Sequence, residues 1–467
     1  MAGAVRTAPF YARSADRERN DRSRSGLIWL LARQRFITRR SAIQLQLKTI
    51  LNCVQRFAGF VYREVRMPCR QGQPQSIEIR LEPHGGIRGR CSRCLQPAPG
   101  YDRLPVRRWA FVPLWGIPTW FCYAPRRVRC AEHGIVVEHI PWSDGKRPVT
   151  CAMMTFLALW ARRLSWRETA RAFRTSWESV YRSVEWYVEW GLGHRELRGI
   201  QSIGVDEIHW GRGRKADNFL TVIYQIDAGC RRLLWVGRRR SQATLRRGLK
   251  ALGPEVVKGL KFVCSDMWKP YLKVIAEQAG QALHVLDRFH ITSHLNQAVD
   301  QVRRAESTRL RTKSKQAAKQ LKHTRWPLLR NLNRVRGRAR QKLQALLTAK
   351  LATARAWELK EAFRHFWKYR SVLWAGAFLD FWCQRAMRSR LEPMKRVARM
   401  LRAHEPLILN WFRAKGEISS GSVEGLNNKI RVVTRRSYGF RTYEAMEIAL
   451  YHTLGRLPEP ESTHKFC

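Results

Sequence analysis

Three acids in this chain stand where an apolar run ends or a helix opens. They are Asp206 after Ile203-Gly204-Val205, Asp266 after Phe262-Val263-Cys264-Ser265, and Glu424 in Ser422-Val423-Glu424-Gly425. Carboxylates are the hard oxygen ligands that Mg²⁺ or Mn²⁺ requires. Two such ions about 3.5–4 Å apart activate a nucleophile and stabilise the attacking and leaving oxygens of a phosphodiester displacement. The second acid follows the first by 60 residues and the third follows the second by 158, so the fold must gather them. Asp206 would sit mid-strand or at a strand end, and Asp266 just beyond an adjacent strand; if those two strands are neighbours, their carboxylates meet, and Glu424 approaches from a helix packed on the same sheet. Taken singly, each acid is more readily a helix cap or a surface charge; the ordered set suggests a two-metal nuclease site. Glu207 rivals Asp206, but strand alternation points it to the opposite face.

A second chemistry is spelled in thiols. Cys91-Ser-Arg-Cys94 and Cys130-Ala-Glu-His133 are paired knuckles within a stretch of short β-like runs. Joined by a β ribbon, they would present Cys91, Cys94, Cys130 and His133 as a closed tetrahedral set for a structural Zn²⁺. The bland alternative is scattered buried thiols, which does not account for two paired spacings.

Charge narrows the partner. The 467 residues hold 88 Lys+Arg against 36 Asp+Glu, a formal net charge of +52. That excess opposes compaction unless a polyanion neutralises it, which points to nucleic acid. With 45% apolar residues, 19 Trp and 18 Phe, the chain can bury a large core, and its length suits about three domains. No apolar run approaches the ~18 residues that span a membrane. Gly26 to Ala32 is short, Arg-flanked and lacks a cleavage site after it. We therefore expect a cytoplasmic protein, its 11 Cys reduced thiols or metal ligands.

The elements must position this chemistry. Residues 1–43 read as a disordered basic arm. Residues 44–145 hold an N-terminal helix, with helical spacing from Leu45 to Arg63, and the zinc-binding module, whose strands we place at 76–81, 107–112 and 119–123. Residues 146–198 suit a helix-turn-helix. Ser165-Trp-Arg-Glu168 and Thr175-Ser-Trp-Glu178 read as capping boxes ten residues apart, although Arg174 stands where such turns favour Gly. The second helix would offer Ser176, Trp177, Ser179, Arg182 and Ser183 to a DNA groove. Residues 199–299 follow with strands 202–208, 218–226 and 232–237, helix 242–252, strand 260–264, helix 269–279 and strand 283–286. That order is what a ribonuclease-H-like core requires. Residues 300–415 form a basic all-helical insertion, with 16 Lys+Arg and one acid, Glu306, between 303 and 350. Residues 416–457 complete the catalytic domain with the Glu424 helix and a second helix, 443–454; residues 458–467 are a tail. The class is α/β.

These residues carry a resemblance. Ile203-Gly-Val-Asp-Glu207, Val263-Cys-Ser-Asp-Met267, Val285-Leu-Asp-Arg-Phe-His290, Asp300-Gln-Val-Arg303, and Ser420-Gly-Ser-Val-Glu-Gly-Leu-Asn-Asn428 through Arg435-Arg-Ser-Tyr-Gly439 resemble the DDE transposases of bacterial insertion sequences, specifically the ISL-three group. The likeness runs from about Leu45 to Leu457. It implies a Zn-binding module, a helix-turn-helix, and a ribonuclease-H-like catalytic domain split by a helical insertion. It implies that Asp206, Asp266 and Glu424 hold two Mg²⁺ or Mn²⁺ ions. Asp287 and His290 match an Asp-x-x-His element expected to support the catalytic site, and Asn427, Asn428 and Arg431 are placed to touch DNA or orient the acid. Two departures stand out: His133 replaces the more usual fourth Cys, and the arm before residue 44 has no counterpart.

The resemblance implies an enzyme of the bacterial cytoplasm, working at the nucleoid. It would bind the terminal inverted repeats of a mobile element, cut at its ends and join the freed 3′-hydroxyls to target DNA, as a homodimer or larger assembly. The competing readings are a zinc/helix-turn-helix regulator without catalysis, which leaves the α/β core and three spaced acids unexplained, a nuclease that cuts but never joins, and an inactive copy.

Overall fold

The computed structural model describes residues 47–460 except 211–217, 314–317, 350, 416 and 419–420. The arm expected over residues 1–43, the apolar run 26–32, Ser420 and the end of the tail lie outside the described residues. The chain divides into two units, with the boundary between Phe156 and Leu157. Among the described residues, no helix is long and apolar enough to cross a membrane.

The first unit is a β structure. One sheet runs β1-β4-β7-β6, from β1 (Phe60–Arg66), β4 (Ile77–Pro83), β6 (Arg107–Leu114) and β7 (Ile117–Tyr123). A small ribbon pairs β2 (Cys69–Arg70) with β3 (Gln73–Pro74), and a second sheet runs β5-β8-β9 from β5 (Gly100–Arg103), β8 (Arg126–Cys130) and β9 (Gly134–Val137). Alternation does the work: in β4, Ile77, Ile79 and Leu81 are buried while Arg80 between them is exposed. Their core includes Trp109, Phe111, Phe121 and Trp142, with Phe111 stacked on Phe121 at 4.3 Å. The helix expected from Leu45 to Arg63 is shorter. Residues 47–54 are helical, and the chain turns at Gly59, φ 84°, into β1. There Phe60-Val-Tyr62 pairs with Leu81–Pro83 of β4; sheet pairing of aromatic and β-branched residues overrides the helical spacing.

The second unit begins within helix α1 (Cys151–Ala161). Helices α2 (Trp166–Ala172) and α3 (Trp177–His194) follow, joined by a short turn. Ser165 and Glu168 form the expected capping box. The second expected box does not form: Ser176, not Thr175, caps α3 by accepting from the Ser179 N–H. Arg174 takes the left-handed turn conformation, φ 50°, that Gly would favour.

A five-stranded sheet then runs β12-β11-β10-β13-β14. Its strands are β10 (Ser202–His209), β11 (Phe219–Asp227), β12 (Cys230–Arg238), β13 (Phe262–Ser265) and β14 (Leu283–Leu286). The first three form an antiparallel meander; β13 lies parallel to β10, and β14 parallel to β13. Helices α4 (Gln242–Leu252), α5 (Pro254–Lys258) and α6 (Lys269–Gln278) fill the connections, and Leu245, Leu249, Val274 and Ile275 join Ile203, Ile223 and Val263 in one core.

From β14 the chain enters a helical region: α7 (Arg288–Lys313), α8 (Arg325–Leu329), α9 (Gly337–Thr348), α10 (Ala352–Phe363), α11 (Val372–Arg388), α12 (Glu392–Ala403) and α13 (Glu405–Arg413). It has its own core around Trp357, Phe363, Phe366 and Trp382. Glu306, the one acid in its basic first half, is buried. Its carboxylate accepts from the Ala352 N–H (2.9 Å), the Thr353 N–H (2.7 Å) and the Thr353 hydroxyl (2.7 Å), so it satisfies the free donors that open α10. The region returns to the sheet through α13, where the Asn410 amide donates to the His284 carbonyl in β14 at 2.8 Å. Helices α14 (Gly421–Arg436) and α15 (Tyr443–Leu454) close the unit.

Candidate active site and thiol–imidazole cluster

Register explains why the acids converge. Gly204 pairs with Cys264, and Cys264 with Val285. Two residues further along in each case stand Asp206, Asp266 and Asp287, so three neighbouring parallel strands carry an acid at one level: Asp206 within β10, Asp266 and Asp287 just past the ends of β13 and β14. All three carboxylates are buried, at 7–8% exposure. The Asp287 N–H donates to the Ser265 carbonyl at 2.9 Å, carrying the ladder to the sheet's end.

Helix α14 brings Glu424 to this edge. Gly204 has no side chain, and a Cβ there would sit 2.5 Å from Val423 Cγ2, so the helix start lies directly on β10. One turn after Glu424, Asn427 Nδ2 donates to Asp206 Oδ2 at 2.5 Å. Asn427 Oδ1 accepts from the Tyr224 hydroxyl at 2.8 Å, which fixes the sense of the amide. Residues three apart share a helix face, so the exposed Glu424 lies on the side that meets Asp206.

Burial raises the Asp206 carboxyl above its ordinary range, against the Glu207 N–H (2.8 Å) and Asn427, which favour the charged form; His290 and Asp266 also act on it electrostatically. Burial, and then the charge of Asp266, push Glu207 up to about 7. A guanidinium lies between these two acids. Arg240 approaches Glu207 at 2.5 Å and Asp266 at 3.1 Å, and its guanidinium lies 4.1 Å from the Trp268 ring centroid. Asp266 also accepts from the Trp268 N–H at 3.1 Å. Glu207, expected to face away, is thus tied through Arg240 to the same group of acids. Asp287 Oδ1 accepts from the Phe289 N–H at 2.8 Å, and His290 Nε2 stands 3.9 Å from Asp287 Oδ2.

In the first unit, Cys91, Cys94, Cys130 and His133 bring their ligand atoms within 4.8 Å of one another. Among the described residues, no other set of three or more His, Cys, Asp and Glu side chains is drawn together so closely, Asp206, Asp266 and Glu424 included. Cys94 Sγ lies 3.6 Å from Cys130 Sγ, and His133 Nδ1 lies 3.7 Å from Cys130 Sγ and 3.8 Å from Cys91 Sγ. Metal–sulfur bonds of about 2.3 Å in a tetrahedron set sulfurs roughly 3.8 Å apart, so the spacing fits. The first knuckle closes through a Leu95 N–H to Cys91 carbonyl bond, and the second at Gly134, φ 67°, which opens β9 opposite Cys130. These four donors could hold zinc.

Of the residues assigned to groove contact, Trp177 (48% exposed) and Ser179 lie at the start of α3. Ser183 does not point out. It is buried and donates to the Ser179 carbonyl at 2.6 Å, because it falls on the face that packs with Val180 and Val184. Arg182 is exposed but paired with Glu178 and Glu185, both at 2.8 Å. Asn428 and Arg431 are exposed on α14 and bonded to each other at 2.9 Å. Asp300 pairs with Arg303 and Arg304.

Residues 203–450 match the family described as transposase, the DDE transposases of the ISL-three group. The chain belongs to this family. The transposase is 25% identical over 399 residues to the transposase for insertion sequence element IS1001 of Bordetella parapertussis, covering 85% of this chain and 96% of that protein. It is 27% identical over 419 residues to the transposase for insertion sequence element IS1557 of Mycobacterium tuberculosis, covering 84% and 92%. Membership makes the transposase a metal-dependent DDE polynucleotidyl transferase acting on DNA. Sequence reasoning missed three of its residues. Gly204 was legible as a small residue two before an acid, and Arg240 as the last of Arg238-Arg-Arg240 before the Ser241 cap. Tyr224 carried no signal within an apolar strand.

Proposed function

We propose that Asp206, Asp266 and Glu424 are the catalytic triad, and that the transposase cuts at the ends of an insertion sequence and joins them to target DNA. The observation that carries this is the shared level of Asp206 and Asp266 on parallel neighbours, with α14 tied to Asp206 through Asn427. The sheet order supports a ribonuclease-H-like core interrupted by the helical insertion. Two Mg²⁺ or Mn²⁺ ions held by the three carboxylates would activate the attacking oxygen and stabilise the leaving one.

The chain's own groups set the stage for that step. Asn427 and the Glu207 amide hold the Asp206 carboxylate in one orientation. Arg240 neutralises Asp266 and Glu207, keeping crowded acids compatible with the fold. Asp287 and His290, at the adjoining strand end, would support the active site, with the His290 imidazole, beside Asp287, as the group suited to the scissile phosphate. Cys91, Cys94, Cys130 and His133 would hold a structural zinc that fixes the first unit's knuckles. Helices α2 and α3 would act as a helix-turn-helix on the terminal inverted repeats, with Trp177 and Ser179 foremost. Two ends must be held at once, so the working form is a dimer or larger assembly on DNA in the bacterial cytoplasm.

The test is supercoiled plasmid bearing the element's ends, incubated with the full-length protein and Mg²⁺. End-specific cutting that vanishes in Asp266→Asn and Glu424→Ala, with DNA binding kept, supports the proposal. Binding without cutting by the unaltered protein refutes it in favour of a regulator. Pre-cut ends that fail to join target DNA reduce it to a nuclease.

A further inference from the structure

We infer that Tyr438 is a base-stacking residue, held by α14 at a fixed distance from Glu424 to receive a DNA base that has left the duplex stack. The inference rests on the proposed function for the location of the cut, and on separate observations for the stacking.

The first observation is backbone. Helix α14 ends with two bonds, Tyr438 N–H to the Arg435 carbonyl at 3.1 Å and Gly439 N–H to the Thr434 carbonyl at 2.9 Å. This is the Schellman pattern, which puts Tyr438 in the left-handed conformation, φ 53°. Helices give that position to Gly or Asn, because a Cβ crowds the following carbonyl. Tyr438 is also 99% exposed, so no packing within the chain offsets the strain. Backbone and hydration both disfavour an aromatic side chain here, the kind of local conflict that marks function.

The second observation is the surface leading to it. Glu424, Asn428, Arg431, Arg435 and Tyr438 are all exposed and recur every three or four residues, so they form one face of α14. Between Glu424 and Tyr438 there are four Lys or Arg and no acid. The stripe suits a phosphate backbone running from the catalytic edge to the ring. The fourteen residues from Glu424 to Tyr438, helix and cap, span about 21 Å at the helical rise, or about six nucleotides at ~3.4 Å per step. The third is rigidity. The Arg436 guanidinium donates to the carbonyls of Arg162 (2.7 Å) and Arg163 (3.3 Å). Phe440 packs edge-on to Trp166 at 6.4 Å, and Trp166 touches Tyr181 of α3 at 5.4 Å. The tip is anchored on both sides of a ring that is itself 99% exposed. Flanking cations and a net charge of +52 favour DNA over a protein partner. An aromatic face accepts any base.

The test uses full-length Asp266→Asn protein, which binds without cutting, and duplexes of the element's end with 2-aminopurine stepped through successive positions from the cut. We expect a fluorescence change confined to about the sixth nucleotide. Tyr438→Gly should abolish it and weaken binding roughly 5- to 160-fold, the range for losing one aromatic–base stack, while Tyr438→Phe keeps both. The Gly variant should also melt a few degrees higher, because the cap strain is gone, so its defect cannot be misfolding. A Gly variant that binds as tightly, with the signal unchanged, overturns the inference. So does one that alters the oligomeric state of the DNA-free protein, which would make Tyr438 a protein contact. A wrong catalytic triad would show in cutting assays and leave this binding signal intact.

Discussion

Substituting Gly204 by Ala should separate folding from catalysis. The new Cβ would lie 2.5 Å from Val423 Cγ2 and 3.4 Å from Ile226 Cγ2, whereas ordinary contacts begin near 3.4 Å. Val423 has a stiff branched side chain and is 3% exposed, so it has no vacant space to rotate into. Helix α14 must therefore retreat by about 1 Å. Overpacking of this kind costs about 1–3 kcal/mol, a fall of a few degrees in melting temperature that leaves the protein folded. Glu424 follows Val423 directly, and a 1 Å misplacement of a reacting group costs about 10²-fold in rate. The assay is Mg²⁺-dependent cutting of plasmid ends, beside binding to a labelled end duplex and thermal melting. Gly204→Ala should bind normally and cut about 10²-fold more slowly. Adding Val423→Ala removes the clashing methyl and should restore most of the rate, a coupling that independent sites would not display. A folded Gly204→Ala protein that cuts at the normal rate, or a double variant no better than the single, refutes the claim that α14 seats Glu424 through this contact.

Other outcomes follow from the same structure. Cys94→Ser or Cys130→Ser should lower bound zinc, measured by elemental analysis, and unfold the first unit by several kcal/mol, with the second unit's near-ultraviolet signal retained. Glu306→Ala leaves two backbone amides and a hydroxyl at the start of α10 without their acceptor; at about 1–3 kcal/mol for an unsatisfied buried group, denaturant titration should show at least 2 kcal/mol of lost stability. Burial holds His452 down to about 3 from 6.5. Between those values the unfolded chain binds a proton that the native chain refuses, so stability is full above pH 6.5 and falls by about 1.4 kcal/mol per unit below it. His452→Leu should flatten that acid limb in melting curves. Removing Arg240 (Arg240→Met) leaves Glu207 and Asp266 unneutralised; without divalent cations the variant should melt lower, and added Mg²⁺ should restore more stability to it than to the unaltered protein.

Much of the scaffold was legible in the chain because periodicity survives into structure where burial is one-sided. Helix 242–252 was bounded correctly for that reason, whereas strand 283–286, buried on both faces, was legible as a short apolar run. The region after Phe57 was misread because helical spacing and β pairing were both available, and only the partner strand Ile77–Pro83 decided between them. The cap of α3 slipped by one residue because adjacent hydroxyls, Thr175 and Ser176, compete for one role. The thiol knuckles were readable from local spacing alone. The roles of Arg240, Tyr224 and Gly204 were not, even where the residue type stood out, since each acts through a residue remote in sequence: Asp266, Asn427 and Val423.

The helical region leaves the sheet after Leu286 and is fastened back to the same strand by Asn410, 126 residues beyond its partner His284. Its exit and re-entry thus share one neck, like a handle soldered at both ends to a cup. Whatever lies between those ends can lengthen, shorten or be exchanged without dragging the third carboxylate out of reach, because loop closure depends only weakly on length. Relatives could remodel the handle freely to suit different DNA architectures while the cutting edge stays as it is.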